Sequence, residues 1–508
     1  MASVLIFLLI FVTIFVRRFL NRRKQLLQFA KNFPGPKPHP LIGNLMEFRT
    51  DIPGIFKRMV ELHGEYGPDM ITWDIGNDMM LILNTSRCVE KVLMAKATQK
   101  SQIYEFIEKW LGRGLLISSG EKWFQRRKII TPTFHFKILE GFAEVFDRAS
   151  NVLVEKLRKH LDGDEFDIYD YISLHALDSI CETSMGVKIN AQDDPHNQYV
   201  CDVKEMSEVI LRRIFGVLSS FPNLYWSLTS DARKQRKLIK RLHHFTDSVI
   251  HQRRTQLKSE QRLKNVEFDI DEADMYAKRK HSFLDLLLSV TVEGNPLSDL
   301  DIREEVDTFM FEGHDTTTSG IAFTIMQLAK HQDIQQKVYD ELVTILGKES
   351  CKTAPLTYSN IQDFKYLDMV VKESLRLLPP VSFIGRKLVE DTELNGAIVP
   401  AGIDVTVSIY IVHRNPAVYP DPERFIPERF DENGTAPKRG PFDYIPFSVG
   451  SRNCIGQRYA LMELKITIIR LLASYRILPG NSFKDIRLKT DLVLRPHNGI
   501  PIKVVRRK

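Results

Sequence analysis

A single cysteine in a glycine-containing loop restricts what this 508-residue chain can form. The segment FSVGSRNCIG, residues 447–456, holds Cys454 directly ahead of a long apolar run, 455–475, of helical periodicity. Backbone N–H groups and the positive end of that helix favour the thiolate form of the cysteine. Zinc would need more Cys or His ligands close by, and the segment has none. The pattern therefore indicates either a thiolate ligand or, as the ordinary alternative, a buried cysteine packed as a small apolar side chain.

Cysteine use and charge exclude several classes of protein. The five cysteines are scattered without paired spacing, so we expect neither a disulfide framework nor structural zinc. Hydrophobic residues make up 43% and charged residues 27% of the chain, which are globular values. The net charge of +7 equals the basic residues of the first 40 positions, where no acid occurs. The remainder is neutral, and we expect no nucleic-acid partner.

The amino-terminal segment is predicted to be a membrane anchor. Residues 1–16 are almost entirely apolar, and Arg17 and Arg18 follow. If these arginines extend to the lipid headgroups, residues 1–20 are about long enough to span the hydrocarbon layer. A cleaved secretory signal is the alternative, but the charges follow the apolar run and no small-x-small cleavage site is present. Basic residues after the span place the remainder in the cytosol.

After the anchor, residues 21–40 are predicted to form a basic linker and proline-rich hinge, because four prolines alternate through 34–40. Residues 41–508 show no repeat or break in composition, so we expect one domain, mainly α with small β-sheets. Alternating runs at 70–83 and 388–408 predict the strands. Helical periodicity is clearest at 141–161, 298–329, 332–346, 361–378 and 455–475.

The cysteine loop resembles the haem-binding loop of the cytochromes P450, with Phe447, Gly450, Arg452, Cys454 and Gly456 at the positions of the family motif. The resemblance covers nearly the whole body and implies the P450 fold with haem b as cofactor. It implies that Cys454 is the axial iron ligand, whose thiolate favours O–O cleavage. Phe447 would shield the sulfur, the two glycines would allow close backbone approach, and Arg452 would meet a haem propionate.

Other segments match the same family in order. Glu373 and Arg376 stand at i, i+3, and the resemblance implies a buried network with an arginine of a PERF segment. Two such segments occur, at 422–425 and 427–430, and we assign Arg429 from the second. Trp123 and Arg127 resemble the propionate-binding turn, and Arg386 is a further propionate candidate. Solvated surface charges are the alternative for the Glu373–Arg376 pair, for Arg127 and for Arg386.

The segment FEGHDTTTSG, residues 311–320, resembles the central helix beside the oxygen site. The resemblance implies that Thr316 assists oxygen activation and that Asp315 relays protons. Threonine hydroxyls bonded to their own helix carbonyls are the alternative, and both can hold. Glu312 departs from most of the superfamily, but the fourth P450 family, the fatty-acid ω-hydroxylases, carries it and can esterify it to a haem methyl group. The free glutamic acid is the other possibility.

The resemblance implies a microsomal monooxygenase anchored in the endoplasmic reticulum membrane with its catalytic domain in the cytosol. Its partners would be an NADPH-dependent reductase, cytochrome b5 and membrane lipid, and its substrate a fatty acid attacked at or near the ω carbon. Terpenoid hormones or foreign compounds are alternative substrates, and a haem sensor or peroxide-rearranging enzyme is the alternative function. Apolar segments expected to line the pocket are 111–116, Phe134, Phe215, Phe309, 381–384 and 492–494. A basic docking face is expected from Arg126, Lys128, Lys438, Arg439 and Arg458.

Overall fold

The computed structural model describes residues 2–73, 79–95, 99–219, 221–259, 282–434 and 437–507, in which helices predominate and the strands are short, as predicted. The helices are α1 (Ala2–Ala30), α2 (Ile52–Tyr66), α3 (Ser86–Leu93), α4 (Glu105–Leu111), α5 (Gly120–Ile130), α6 (Phe136–Leu157), α7 (Ile168–Thr183), α8 (Gln198–Ile214), α9 (Pro222–Leu228), α10 (Ser230–Ser259), α11 (Phe283–Ser289), α12 (Asp299–Lys330), α13 (Gln332–Leu346), α14 (Lys365–Leu377), α15 (Ile409–Val412) and α16 (Gln457–Ser474).

Small sheets lie beside this helical body. Their strands are β1 (Met70–Trp73), β2 (Met79–Ile82), β3 (Phe166–Asp167), β4 (Thr291–Val292), β5 (Asn295–Pro296), β6 (Phe383–Lys387), β7 (Thr392–Leu394), β8 (Ala397–Val399), β9 (Asp404–Ser408), β10 (Tyr475–Pro479), β11 (Leu488–Thr490), β12 (Leu494–Pro496) and β13 (Pro501–Arg506). The largest described sheet has the order β1-β2-β9-β6 and places β6 at one edge. In the register of its antiparallel pair, Arg386 of β6 lies opposite Val405 of β9.

Helix α12 runs through the centre of the helical body. The side chain of Ser298 caps its first turn by accepting a hydrogen bond from Asp301 N–H. Its middle is buried against α7, and the approach is close because Gly313 has no side chain. A Cβ atom there would lie 2.6 Å from Cδ1 of Ile180. Helices α6 and α16 complete the same core, so α12 is held from several sides with one face left toward a cavity.

The amino-terminal prediction is met only in part. The apolar run is helical, but α1 continues past Val16 through several arginines to Ala30. Within the described residues, no helix combines enough length with enough apolar character to cross a membrane, so the predicted transmembrane helix at residues 1–20 is not found.

The proline-rich segment packs on the body at its start. Phe33 is buried, and Ile71 N–H of β1 donates to the Pro34 carbonyl at 2.9 Å. Gly35 lies so close to the strand that a Cβ atom would be 2.2 Å from the Ile71 carbonyl oxygen. This part of the hinge is therefore attached to the edge of the largest described sheet.

Candidate active site

The cysteine loop is closed by its own backbone. Cys454 N–H donates to the Phe447 carbonyl at 2.9 Å, and both Ser448 and Gly450 adopt positive φ. Gly450 is required for steric reasons as well, since a Cβ atom would lie 2.3 Å from the Leu93 carbonyl oxygen. The Cys454 side chain is accessible from a large internal cavity. Burial raises the pKa of the thiol to about 11, opposed by a hydrogen bond from Gly456 N–H.

The cavity has a volume of about 730 Å³ and lies between the cysteine loop, α12 and β6. Most of the apolar segments expected in the pocket reach it. Leu111 and Leu494 do not line the cavity and are packed in the core instead. The expected pocket residues that line it are Leu115, Leu116, Phe134, Phe215, Phe309, Val381, Phe383, Ile384, Leu492 and Val493.

Helix α12 turns Glu312 and Thr316 toward this cavity, as their i, i+4 spacing predicts. Burial raises the pKa of Glu312 to about 7, and the neighbouring Lys100 opposes that shift. The glutamate is therefore largely a neutral acid below neutral pH. The hydroxyl of Thr316 donates to the Glu312 carbonyl at 2.7 Å, which is the helix-bonded arrangement that the sequence left open.

Asp315 does not share that open face. It is 2% exposed, and its Oδ2 accepts a hydrogen bond from Nη2 of Arg495. Arg495, on β12, also contacts Asp491 Oδ1 at 3.2 Å, so one cation holds two carboxylates. Burial raises the pKa of Asp315, and Arg495 is the main group that opposes the rise. This ion pair ties the middle of α12 to the β11–β12 hairpin.

Cationic side chains line a second wall of the cavity, defined here as the cationic wall: Lys100, Arg127, Arg386 and Arg452. Arg386 is 3% exposed, and its Nε has no hydrogen-bond partner among the described residues. Arg452 lies 4.1 Å over the Trp123 ring, and burial with the nearby Arg386 lowers its pKa to about 9. Burial and the same arginines hold the pKa of Lys100 well below its ordinary value.

Arg127 contacts the cysteine loop directly. Its guanidinium donates to the carbonyl and to the side-chain oxygen of Asn453, at 2.9 and 2.7 Å. Trp123, one turn earlier on α5, contacts Arg452 of the same loop. Trp123 and Arg127, which resemble the propionate-binding turn, thus position the loop that carries Cys454.

The predicted network behind the loop is brought together. Arg376 binds Glu373 with two hydrogen bonds, 2.7 and 2.8 Å, and both residues are fully buried. Arg429 approaches the same carboxylate at 3.3 Å, whereas Arg424 of the other PERF segment is exposed. Arg376 also donates to three backbone carbonyls, those of His413, Pro422 and Arg424.

The residues present fit haem b. Gly456 faces open cavity, since a Cβ atom there would meet nothing closer than Cys454 Sγ at 3.9 Å. A flat macrocycle could therefore lie against the sulfur. Arg386 is a buried cation with no ion-pair partner among the described residues, and the haem propionates would supply the missing anion. Cys454 would hold the iron, and the cationic wall would hold the propionates.

The prediction that Arg126 belongs to a basic docking face is wrong. Arg126 is 7% exposed and pairs with Asp301 at 2.7 Å, so it cannot contribute to a basic surface. Arg439 is half-buried and lies over the Phe430 ring. Lys128, Lys438 and Arg458 are exposed.

Comparison with known proteins identifies the family. The family profile described as Cytochrome P450 matches residues 33–504. Cytochrome P450 4d1 of Drosophila simulans is 41% identical over 490 residues, 95% of this chain and 94% of the relative. Cytochrome P450 4c3 of Drosophila melanogaster is 38% identical over 515 residues, 100% and 94% of the two chains. Cytochrome P450 4V2 of Homo sapiens is 41% identical over 476 residues, 93% and 89%.

A thiolate ligand beside a cavity that fits haem, in a mainly helical fold with small sheets, defines a haem-thiolate monooxygenase. The chain belongs to the cytochrome P450 family, and the relatives cited are members of its fourth family. Haem b is its cofactor, and members of the family use redox partners and lipophilic substrates.

Proposed function

We propose that this P450 hydroxylates fatty acids at or near the ω carbon. The observation that carries the proposal is that Glu312 lines the same apolar cavity as Cys454. A carboxyl group in that position is typical of the fatty-acid hydroxylases that the sequence resembles. The apolar lining suits a long acyl chain. A NADPH-dependent reductase, with cytochrome b5 as a further donor, would supply electrons from the side of Cys454, where Lys128 and Arg458 are exposed.

Bound haem supplies the iron at which O2 is bound and reduced. The protein does the rest of the work that the proposal requires. Cys454 would hold the iron as a thiolate and supply electron density to it. Thr316 presents a hydroxyl on the cavity face of α12. Asp315, which is ion-paired with Arg495, lies behind that face and would relay protons that water supplies.

Covalent attachment of the cofactor through Glu312 is part of the proposal. The Glu312 carboxylate would gain a C–O bond to a haem methyl carbon. The proton and two electrons that leave that carbon would be consumed in O2- and NADPH-driven turnover. Attachment would remove a buried ionisable group whose pKa burial already raises. It would also fix the cofactor at a second point besides Cys454.

We further propose that α1 anchors the enzyme to the endoplasmic reticulum membrane, with the catalytic body in the cytosol. The apolar run before Arg17 and the basic residues after it support this orientation.

The decisive test is incubation of purified holoenzyme with reductase, NADPH and O2 against saturated fatty acids of increasing length. We expect NADPH consumption to rise with the acid and mass spectrometry to locate the hydroxyl group at or next to the terminal carbon. Omitting the reductase is the control. Oxidation of terpenoids without oxidation of any fatty acid would reject the proposed substrate class while leaving the monooxygenase activity intact.

A further inference from the structure

Another cation of the cavity lies apart from the four residues of the cationic wall. Arg213 is the last buried residue of α8 and is only 8% exposed, yet it lines the same cavity as Cys454. Among the described residues its guanidinium has no ion-pair partner and no hydrogen-bond acceptor, and its buried Nε is unsatisfied. A buried cation in this state costs folding free energy, so its retention calls for an anion supplied by a ligand.

Aromatic rings hold this guanidinium in place. Its central carbon lies 4.5 Å from the centroid of the Tyr225 ring, 4.9 Å from Phe106 and 5.2 Å from Trp226. Contacts with ring faces compensate part of the lost hydration, but they leave the in-plane N–H donors of the fork unused. Those donors suit the two oxygens of a carboxylate.

The cofactor does not account for Arg213. The cationic wall lies beside Cys454 and Glu312, and its members act on one another electrostatically. Arg213 instead lies among the rings of Phe106, Tyr225 and Trp226, and burial lowers its pKa. The cavity around Arg213 is lined by apolar side chains of α8 and the residues that follow, Leu211, Ile214 and Phe215.

We infer that Arg213 binds the carboxylate of a long-chain fatty acid whose alkyl chain lies in the cavity toward Cys454. The inference rests on the proposed function and deepens it by naming the group that recognises the acid end. If the carboxylate binds Arg213, the terminal carbons of the alkyl chain would approach Cys454. The carbons next to the carboxylate would stay away from it. Arg213 is therefore a specificity-determining residue in this proposal.

The experiment compares an acid with its uncharged analogue. Binding of dodecanoate and of methyl dodecanoate to haem-loaded enzyme is measured by equilibrium dialysis for wild type, Arg213→Gln and Arg212→Gln. Arg212 is the matched control, because it is the adjacent arginine, is partly exposed and is paired with Asp231. We expect Arg213→Gln to weaken dodecanoate binding roughly tenfold to hundredfold, as for loss of a charge-assisted bond, and to change ester binding by less than about twofold.

Each outcome either supports or rejects carboxylate binding by Arg213. If Arg213→Gln binds dodecanoate as tightly as wild type, or loses acid and ester equally, the carboxylate site is rejected while fatty-acid hydroxylation stands. If wild type binds and oxidises neither compound, the proposed function fails and the inference fails with it. Arg213→Lys keeps the charge without the fork and should bind dodecanoate between wild type and the glutamine variant. Should the glutamine variant not fold, the acid-to-ester ratio of the lysine variant decides, and an unchanged ratio rejects the site.

Discussion

At the scale of single residues, substitution of Cys454 should have the most specific effect. Cys454→Ser replaces the ligand with a neutral hydroxyl that cannot serve as a thiolate donor. We expect weak haem retention and loss of the red-shifted absorption band of the reduced carbon monoxide complex. Cys201→Ser, at an exposed cysteine, is the control and should keep the band. A Cys454→Ser protein that kept the band would show that another residue holds the iron.

Glu312 is tested by covalent chemistry. After many turnovers, mass spectrometry of denatured wild-type protein should find haem mass on the polypeptide, because the carboxyl group faces the cavity beside Cys454. In Glu312→Ala all haem should be extractable with acidic organic solvent. Glu312→Gln keeps the side-chain shape and should behave like the alanine variant. Wild-type protein that carries no haem mass after turnover contradicts the covalent role.

Sequence reasoning found the site residues that belong to local strings, such as Cys454 in its loop and Glu312 in its helix. It missed residues whose role depends on distant contacts. Arg495 meets Asp315 across 180 positions, and nothing in its neighbouring sequence indicates this. Nothing in the sequence near Lys100 or Arg213 indicates that the fold places both in the cavity wall and buries Arg213. Burial of a lone charge is a tertiary property that spacing does not encode.

At the scale of elements, the contact between α12 and β12 should contribute strongly to stability. Arg495→Leu leaves Asp315 buried without its cation and leaves Asp491 with Lys489 alone, at 3.7 Å, which should lower the free energy of unfolding by about 3–5 kcal/mol. Combining it with Asp315→Asn should recover much of the loss, as a denaturant midpoint would show. Arg424→Leu, at an exposed arginine, is the control. Additive losses in the double variant would mean that the two side chains are not coupled.

The α7–α16 contact predicts a pH effect. Glu463 is fully buried, 3.9 Å from His175 Nε2, and burial raises its pKa from 4.5 to about 8. The folded state binds this proton more tightly than the unfolded state does. The free energy of unfolding is therefore highest at low pH, and it falls by about 1.4 kcal/mol per pH unit as the pH rises toward 8.

Glu463→Gln removes the ionisable group and with it this loss. The difference in melting temperature, variant minus wild type, should therefore increase from pH 6 to pH 8.5. A difference that stays constant over this range would show that the carboxyl is ionised or paired in the folded protein.

Periodicity predicted the long helices well and the irregular parts poorly. The predicted segment 332–346 coincides with α13, and 298–329 differs from α12 by one residue at each end. The prediction at 141–161 begins five residues late. In the first turns of α6 the apolar residues are spaced less clearly at the helical period. Short helices such as α4 and α9 have too few turns to show a period, and packing against their neighbours determines them.

At the scale of the whole molecule, removal of residues 1–32 tests the membrane proposal. The cut falls just before Phe33, which is buried against the sheet and should stay in place. We expect the shortened protein to appear largely in the soluble fraction after cell lysis while it still incorporates haem. Full retention in the membrane fraction, compared with the intact enzyme, would mean that another surface holds it there.

The three carbonyls gathered by Arg376 have a consequence for how the native protein opens. Residues 413–424 form little regular structure, and His413, Pro422 and Arg424 are held by one guanidinium. Breaking that attachment frees the three carbonyls together, so the segment should behave as one cooperative unit. Amide hydrogen exchange across 413–430 should then proceed at a shared rate. That rate would measure how often the support behind the cysteine loop transiently detaches while the rest of the enzyme stays folded.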